Sequence, residues 1–559
     1  MSFAIALPLL ACFSNSPEFF IAHGTSATEL LIFTAILTVV LPTSIALMAL
    51  ATRLFGRFCQ ITTHAILTSV LLGLCLMPHL KSINALAGWS VIGVSWAIGW
   101  AATVFYLRSK SIRARTPFLA PITLIFPILF LLQNGVLSHR APQIRALVDS
   151  TGAASAPVFF LLLDELSTEA LLTESRTIDE RHFPNFAALA NDGYWFRDAT
   201  TVGSNTLAAL PAVLTGAYPK KYGETPDYQQ YPNNLFTLLA AAGYNVHAYE
   251  AETRLCPESI NQRAAPRRSL TASVASLLAD TLVLAGHTFL QRDLTGSLPD
   301  ISARVAFFTK ADAEAAATTR APAFTDFLGS LSAEQNTLHF AHILLPHIPY
   351  VFLPSGKQYL DDSDLLGFQG DETNWPEDPF LVAAAQQRYL LQVQYVDHLL
   401  GKFLARLKEL NVYDRAIIVV TSDHGASYRP GAGRRIIFPP DAETFPNEDA
   451  ATDVLKSPTF VRLPGQKEAK IVDSKFQNTD ILPTILASLG VRAPKSVQGR
   501  NVFAETVPAL EHYRLFDFYH GNRLYPHDLN ILSPSYNLSM KFQTLNVDEF
   551  FRVRMGDYD

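Results

Sequence analysis

Cysteine is scarce in this sequence, with only four in 559 residues. Cys12, Cys59 and Cys75 lie in or beside apolar segments, which leaves Cys256 as the one cysteine in the polar part of the chain. A disulfide framework and a cysteine-clustered zinc site both need several thiols. Both are therefore excluded for the polar part.

Charge is also sparse, since charged residues make up 17% of the sequence and the net charge is -6. Basic runs are absent, so neither nucleic-acid binding nor an extended acidic tail is indicated. Hydrophobic residues reach 49% and the mean hydropathy is +0.17, which is high for a soluble protein. The length exceeds that of one ordinary domain. This composition predicts a membrane part and a separate polar part.

Four apolar stretches in the first quarter of the chain have the character of membrane-spanning helices. Three are close to the ~20 residues that a span needs, and one is at the short end of the range. The four stretches are 30–50, 61–77, 87–106 and 117–137. A fifth stretch, 3–13, has the size of a signal peptide but lacks its basic n-region, so we treat it as a candidate additional helix.

Basic residues in two loops predict the orientation of these helices. The first loop carries Arg53 and Arg57, and the second carries Arg108, Lys110, Arg113 and Arg115. Positively charged loops stay in the cytoplasm. The chain after residue 140 is then extracytoplasmic, in a periplasm if the cell has one, and the protein is a multi-pass protein of the plasma (inner) membrane. The alternative is a cytosolic domain on an inverted anchor.

We divide the chain accordingly into a transmembrane helical domain, a linker, a catalytic domain and a C-terminal extension. Their predicted bounds are 1–137, 138–156, 157–505 and 506–559.

Strand-like and helix-like segments alternate after the linker. The apolar run at 158–163 has no polar alternation, which is typical of a strand buried on both faces of a parallel sheet, and the segments 338–347 and 416–425 are two further predicted strands. Helical patterns at 183–196, 233–243 and 383–410 lie between them. This order predicts an α/β/α sandwich with a mostly parallel sheet.

Polar residues follow three of these predicted strands at their carboxyl ends. Asp164 and Glu165 follow the first, His347 ends a later one, and Asp423 and His424 follow the apolar residues 416–420 of the last. Ligands of open α/β sheets bind at this edge. We therefore expect these side chains to meet there.

Thr206 begins a helix-forming run in the segment VGSNTLAALPAVLTG, residues 202–216. A hydroxyl at a helix start is most often an N-cap, and that is the favoured interpretation of Thr206 taken alone. The same position suits a nucleophile, because free N–H groups of the first turn hold oxyanions. An acidic residue, Thr206, Asp423 and His424 together offer three oxygen ligands and one imidazole. That set favours zinc or manganese, with calcium and magnesium also open.

Several motifs in a consistent order carry a resemblance to a known family. They are LLLDEL, FPNFAALANDGYWFRDATT, ALPAVLTG, TSDHG, KSPTFVRLPG and TDILPTILASLGV with QGRNV, spread over about residues 157–505. Together they resemble the sulfatase branch of the alkaline phosphatase superfamily. The resemblance implies an alkaline-phosphatase/sulfatase-like fold and one divalent metal ion.

The nucleophile position departs from the sulfatases proper. Their pattern is Cys or Ser followed by x-Pro-x-Arg, and the first residue becomes formylglycine. Here that position is Thr206, without Pro-x-Arg, and threonine cannot be converted to formylglycine. The chain instead resembles the membrane-anchored phosphoethanolamine and phosphoglycerol transferases.

That resemblance implies a set of site residues. The metal ligands would be Asp164, Thr206, Asp423 and His424, with Glu165 as the second choice of acidic ligand. His342 and His347 resemble substrate-side catalytic histidines, which would protonate a leaving group or hold phosphoryl oxygens. For His342, inside an apolar strand, a buried core histidine is an equal alternative. The pair Arg434 and Arg435 would clamp a phosphate or lie in a solvated loop, and the solvated loop is favoured.

The resemblance also implies the function. We expect a metal-dependent membrane enzyme that moves a phospho-alcohol group from a membrane lipid donor to an envelope glycan or lipid through a phosphothreonine. One alternative is a hydrolase of sulfate or phosphate esters at the same site. An alternative of another class is a catalytically inactive membrane scaffold, because a fold does not guarantee activity.

Overall fold

The chain folds as two compact units. The computed structural model describes residues 1–14, 19–20, 23–81, 88–133, 155–221, 226–263, 269–296, 298–299, 310–358, 374–437, 448–517, 523–530 and 532–543. One unit comprises Met1–Ala141 and Pro266–Ala316, and the other comprises Pro142–Ala265 and Ala317–Asp559. This division differs from the predicted one, because the segment 266–316 interrupts the predicted catalytic stretch 157–505. Most of the predicted linker, 138–154, lies outside the described residues.

The first unit is helical, and its described residues include five helices that are long and apolar enough to cross a membrane. They are Ala27–Phe55, Arg57–Lys81, Gly88–Arg108, Lys110–Leu132 and Leu270–Phe289. The first four contain the predicted spans, apart from residue 133, which follows the last residue of the fourth helix, and residues 87 and 134–137, which lie outside the described residues. Exposed apolar side chains such as Met48, Phe105 and Leu124 suit a lipid environment.

The sequence left one feature of this unit open and did not predict another. The stretch 3–13 lies in the helix Ser2–Ser14, which at ~1.5 Å per residue is shorter than the ~30 Å hydrocarbon core. Leu270–Phe289 was not predicted, because Asp280 and several Ser and Thr residues interrupt its apolar pattern.

The second unit is built on a seven-stranded sheet. In chain order the strands are β1 Val158–Asp164, β2 Tyr194–Phe196, β3 Ala199–Thr200, β4 Asn245–Tyr249, β5 Thr337–Pro346, β6 Ile417–Ser422, β7 Thr459–Arg462, β8 Lys470–Val472, β9 Phe476–Gln477, β10 Tyr513–Asp517 and β11 Arg523–His527. The main sheet has the order β4-β5-β1-β6-β7-β2-β8, and β3-β9 and β10-β11 form two-stranded sheets. Strands β4, β5, β1 and β6 are parallel, and β7 is antiparallel to both of its neighbours. The predicted mostly parallel sheet is confirmed.

Helices connect these strands and cover the sheet. They are Thr168–Leu171, Pro184–Ala190, Thr206–Thr215, Leu235–Ala241, Lys310–Ser330, Pro379–Glu409, Glu448–Leu455, Ile481–Ser488 and Tyr536–Gln543. Every residue of β1 and β6 is buried, which explains their unbroken apolar sequences. Phe160 of β1 packs edge-on against Phe340 of β5, and Phe159 contacts Phe403 of the long helix. Since burying such a side chain stabilises by ~1.5–3 kcal/mol, the central strands form a rigid base for the residues at their ends.

The predicted C-terminal extension packs against this unit over its described residues. Tyr513 and Leu515 of β10 are buried against Val454 and Leu455 of the helix Glu448–Leu455. Residues 518–522, 531 and 544–559 lie outside the described residues.

Candidate active site

Three side chains of types that bind metal ions meet at the carboxyl edge of the central sheet. Asp164 ends β1 and Asp423 follows β6, and these strands are direct neighbours. Ligand atoms of Asp164, Asp423 and His424 all lie within 4.8 Å of one another, and all three residues are buried. We call these three residues the acidic cluster.

Polar atoms of the acidic cluster have no hydrogen-bond partner within the described part of the chain. Both carboxylate oxygens of Asp164 and Oδ2 of Asp423 are in this state. A buried polar group without a partner costs about 1–3 kcal/mol, and more when it is charged. Burial, followed by the nearby Asp423, Glu252 and Glu165 carboxylates, raises the pKa of Asp164 well above its ordinary value. A divalent cation would satisfy these oxygens, so the residues present fit a metal ion.

Backbone hydrogen bonds hold the other two members of the cluster in place. Oδ1 of Asp423 accepts the N–H of Glu165 at 3.0 Å and the N–H of His424 at 2.8 Å. Burial opposes ionisation, but His424, His342 and these bonds hold the pKa of Asp423 below its ordinary value. Nδ1 of His424 lies 3.0 Å from the Gly425 carbonyl, which only accepts, so Nδ1 carries the proton. The Nε2 lone pair of His424 is therefore available as a ligand.

Thr206 places its hydroxyl beside the acidic cluster. Its Oγ1 lies 3.4 Å from Nε2 of His424. The N-cap of the helix Thr206–Thr215 is Asn205, whose side chain accepts the N–H of Ala208 at 2.9 Å. The N-cap interpretation of Thr206 is therefore wrong. Because Asn205 caps the helix, the threonine hydroxyl faces the cluster.

Glu165 has a different environment from its neighbour Asp164. Nη1 of Arg434 donates to both of its carboxylate oxygens, at 2.5 and 2.8 Å, and both side chains are buried. Its backbone has a φ of 65°, in the left-handed region that non-glycine residues seldom adopt. The structure thus pairs Glu165 with Arg434 and leaves it outside the acidic cluster.

The two arginines of the GAGRR segment lie at the site. Arg434 is buried, so the favoured interpretation of it as part of a solvated loop is wrong. Although burial opposes it, the Glu165 carboxylate raises the pKa of Arg434 above its ordinary value. Nη1 of Arg435 lies 3.4 Å from Nε2 of His424, which places a second positive charge beside the cluster. The only signal for this in the sequence was the paired arginines themselves.

His342 and His347 lie on two sides of the same edge. Nε2 of His342 is 3.7 Å from Oδ2 of Asp164, and neither ring nitrogen has a hydrogen-bond partner among the described residues. Burial lowers the pKa of His342 to about 4, so its ring is neutral at pH 7. Nε2 of His347 lies 3.4 Å from Oε2 of Glu165, and its Nδ1 lies 2.8 Å from the Ile348 carbonyl. Burial, and then the positive charges of three arginines, lower the pKa of His347 well below its ordinary value.

Comparisons with known proteins find related sequences. A family model described as Sulfatase matches residues 157–491, more than half of the chain. An endo-4-O-sulfatase from Bacteroides thetaiotaomicron is 29% identical over 121 residues, which are 21% of this chain and 22% of that protein. An arylsulfatase from Clostridium perfringens is 23% identical over 419 residues, covering 67% of this chain and 82% of that protein.

Solved structures are similar at lower identity. The C-terminal periplasmic domain of EcEptC from Escherichia coli, solved in complex with Zn, aligns with a TM-score of 0.38 and 16% identity. The alignment covers 68% of this chain and 94% of that one.

Proposed function

Because the chain belongs to the sulfatase family, we propose that it is a membrane-bound phospho-alcohol transferase that works through a covalent phosphothreonine at Thr206. The group transferred is phosphoethanolamine or phosphoglycerol. The donor is a membrane lipid, and the acceptor is an envelope glycan or lipid.

The placement of Thr206 is the observation that carries this proposal. A threonine hydroxyl lies 3.4 Å from Nε2 of His424, at the position that corresponds, by the resemblance described above, to the cysteine or serine that sulfatases convert to formylglycine. The capping by Asn205 gives this hydroxyl a place beside the metal ligands. Such a hydroxyl suits direct nucleophilic attack on phosphorus.

The acidic cluster and the Thr206 hydroxyl are the proposed ligands of one divalent ion, with zinc or manganese favoured. When bound, this ion would supply positive charge that lowers the pKa of the hydroxyl and neutralises phosphoryl oxygens. His342, 3.7 Å from Asp164, is assigned to the same site as a neighbour of the acidic ligand.

The reaction that these residues support has two balanced steps. In the first, Oγ1 of Thr206 bonds to phosphorus, the bond between phosphorus and the lipid oxygen breaks, and the hydroxyl proton ends on that oxygen. In the second, an acceptor hydroxyl oxygen bonds to phosphorus, the phosphothreonine bond breaks, and the acceptor proton ends on Oγ1 of Thr206. We assign to His347 the transfer of protons to the leaving oxygen and from the entering oxygen. We assign to Arg435 the neutralisation of the negative charge on the phosphoryl oxygens.

The helical unit supports action at a membrane. Its four N-terminal spans and the basic loops at 53–57 and 108–115 favour a multi-pass protein of the plasma (inner) membrane. In this orientation the α/β unit is extracytoplasmic, on the side where envelope acceptors are found.

Intact mass of the trapped intermediate tests the proposal. The purified full chain, in detergent with Zn²⁺ or Mn²⁺, is incubated with phosphatidylethanolamine or phosphatidylglycerol. We expect diacylglycerol release and a Thr206 peptide heavier by one phospho-alcohol group. Thr206→Ala should show neither, and Thr177→Ala, at an exposed threonine away from the site, should behave as wild type. Unchanged turnover of Thr206→Ala would refute the nucleophile assignment.

Hydrolysis of sulfate or phosphate esters is the second candidate function. It is favoured by the curated relatives, which include an endo-4-O-sulfatase and an arylsulfatase. Transfer in ¹⁸O-labelled water, with and without glycerol or a glycan acceptor, separates the two functions. A transferase gives an acceptor-linked product without the label. A hydrolase incorporates ¹⁸O into the phosphate or sulfate group that it releases.

A further inference from the structure

The helix Leu270–Phe289 poses a topological problem if it crosses the membrane. It is encoded between β4 and β5, which are paired neighbours in one parallel sheet, with Asn245 opposite Thr337. Strands of one sheet lie on one side of a membrane. The segment between them must therefore begin and end on the same side.

A second crossing that would return the chain is not available in the sequence. Between the helix and β5 there is no apolar stretch near the ~20 residues that a span needs. The first half of this segment alone is interrupted by six charged residues, Arg292, Asp293, Asp300, Arg304, Lys310 and Asp312. A single crossing by Leu270–Phe289 would separate β4 from β5, so the helix does not cross.

The contacts of the helix Leu270–Phe289 show its depth relative to the membrane spans. Consecutive spans alternate in direction, so the start of the first, the end of the second and the start of the third share one side of the membrane. His23, just before the first span, lies 3.0 Å from Asp280 in the middle of the helix. Lys81, at the end of the second span, donates to the His287 carbonyl, and the N–H of Gly88, at the start of the third, donates to Asp293 at 2.9 Å.

The spacing of these three contacts shows how the helix axis is oriented relative to the membrane. Asp280 and His287 are ~10 Å apart along a helix axis, and Asp293 lies further on. A helix that ran through the bilayer would change depth by this amount between contacts, yet every partner lies at the same end of the spans. The helix therefore runs along the membrane surface. An Asp at the bilayer centre would also cost about 2.5–3.5 kcal/mol, a penalty that this placement avoids.

One face of the helix is buried at this same level. Its Leu277, Val283 and Phe289 belong to a cluster that contains Phe33, from the first turns of the first span, and Phe130, near the end of the fourth. Leu282, on the side of the helix turned away from Leu277, is an apolar side chain that is 74% exposed. The spans that pack against the buried face of the helix lie in lipid. Lipid is therefore the partner available to its exposed face.

We propose that Leu270–Phe289 is an interfacial helix. Leu282 lies at the boundary between headgroups and acyl chains, in the leaflet where the fourth span ends. Such helices bury an apolar face ~5–10 Å into this boundary. The proposal rests on the four spans and is independent of the nucleophile assigned above.

Depth measurement by spin labelling tests this placement in the full chain. Cys12, Cys59, Cys75 and Cys256 are replaced by Ser or Ala, and a nitroxide is attached to Leu282→Cys in vesicles of phosphatidylethanolamine and phosphatidylglycerol. Val40→Cys, 53% exposed near the middle of the first span, is the matched control. From relative accessibility to oxygen and to a polar nickel complex, we expect a shallow label at 282 and a deep one at 40. Equal depths would overturn the proposal.

Cysteine labelling on the two sides gives an independent measurement. Thr271→Cys lies at the start of the helix, and Gly296→Cys and Ser302→Cys follow its end. An impermeant maleimide applied to intact spheroplasts should label position 271 and at least one of 296 and 302, while Leu54→Cys, between the first two spans, should react only after permeabilisation. Labelling of 271 from outside and of the later positions only after permeabilisation would show a crossing. If positions 271, 296 and 302 all require permeabilisation and 54 does not, the helix is still interfacial and the proposed extracytoplasmic orientation is wrong.

Discussion

Two adjacent carboxylates at the end of β1 have opposite environments. Asp164 is fully buried and neither oxygen has a hydrogen-bond partner within the described residues. Glu165 is equally buried, but both of its oxygens accept from Arg434. Residue type and burial therefore do not distinguish the proposed metal ligand from its neighbour, whereas the presence of a permanent cationic partner does.

This difference assigns the two carboxylates to two tasks. Arg434 already neutralises Glu165, whereas the acidic cluster has unsatisfied oxygens facing one another. The substitutions below begin with the largest expected effect, and the first two test Asp164 and Glu165.

Asp164→Asn should reduce transfer activity by about 10³-fold, or roughly 4 kcal/mol in the barrier, because a charged ligand is lost. Metal content, measured by plasma mass spectrometry on the purified chain, should fall from about one equivalent to well below it. In metal-free buffer the same variant should unfold at a temperature no lower than wild type, because a buried carboxylate without a partner is removed. Full metal occupancy in Asp164→Asn would contradict the ligand assignment, and a wild-type protein without metal at saturating Zn²⁺ would favour the inactive scaffold.

Glu165→Gln should destabilise the protein by about 3–5 kcal/mol, because Arg434 remains buried without its counter-charge. Thermal unfolding in detergent measures this effect. Arg406→Gln, which removes an exposed ion pair with Glu409, should cost under ~1 kcal/mol and is the control. In Glu165→Gln we expect bound metal to stay near one equivalent, and its loss would show that Glu165 is a ligand after all.

His339 is a buried ionisable group with neither a metal-ligand neighbour nor a paired charge. It stacks on Phe159 and His247, and burial, followed by the charge of His247, lowers its pKa to about 3. Since its unfolded pKa is near 6.5, it contributes no pH dependence above that value, and stability is lost as pH falls from 6.5 toward 3. At pH 4.5 this loss amounts to about 3 kcal/mol.

His339→Gln should therefore lose less stability than wild type between pH 7 and pH 4.5. Melting temperatures at the two pH values measure the difference, and His398→Gln, at an exposed histidine, should match wild type. Identical acid sensitivity in His339→Gln would show that other groups account for the loss.

Asn205→Ala should have the smallest effect on stability, about 1 kcal/mol for a lost N-cap. Because the cap fixes the start of the helix that carries Thr206, activity should fall more than stability does. Asn205→Asp, which keeps the cap, should restore the melting temperature. Full activity in Asn205→Ala would show that the helix start does not position the hydroxyl.

Much of the α/β unit could be predicted from the sequence, for physical reasons. The unbroken apolar runs of β1 and β6 require a sheet covered on both faces, and parallel strands bring Asp164 and Asp423 to one edge. The choice between Asp164 and Glu165 could not be predicted, because it depends on Arg434, which is 269 positions away. Asn205 and Thr206 are both good N-caps, so the sequence did not decide between them.

The helical unit was predicted less completely. Uncharged spans are recognised by length and composition, but Leu270–Phe289 contains Asp280 and lies far along the chain. Its partner His23 is what makes that aspartate compatible with an apolar helix, and a pairing across 257 positions is not visible in a local pattern.

The bond between the Glu165 N–H and Asp423 joins residues 258 positions apart, and it closes one side of the acidic cluster. During translation Asp164 is added to the chain long before Asp423. The proposed ligand set is therefore incomplete until β6 has been made and has paired with β1. Under the ligand assignment proposed above, metal can be loaded only after this pairing, in whichever compartment the finished sheet assembles.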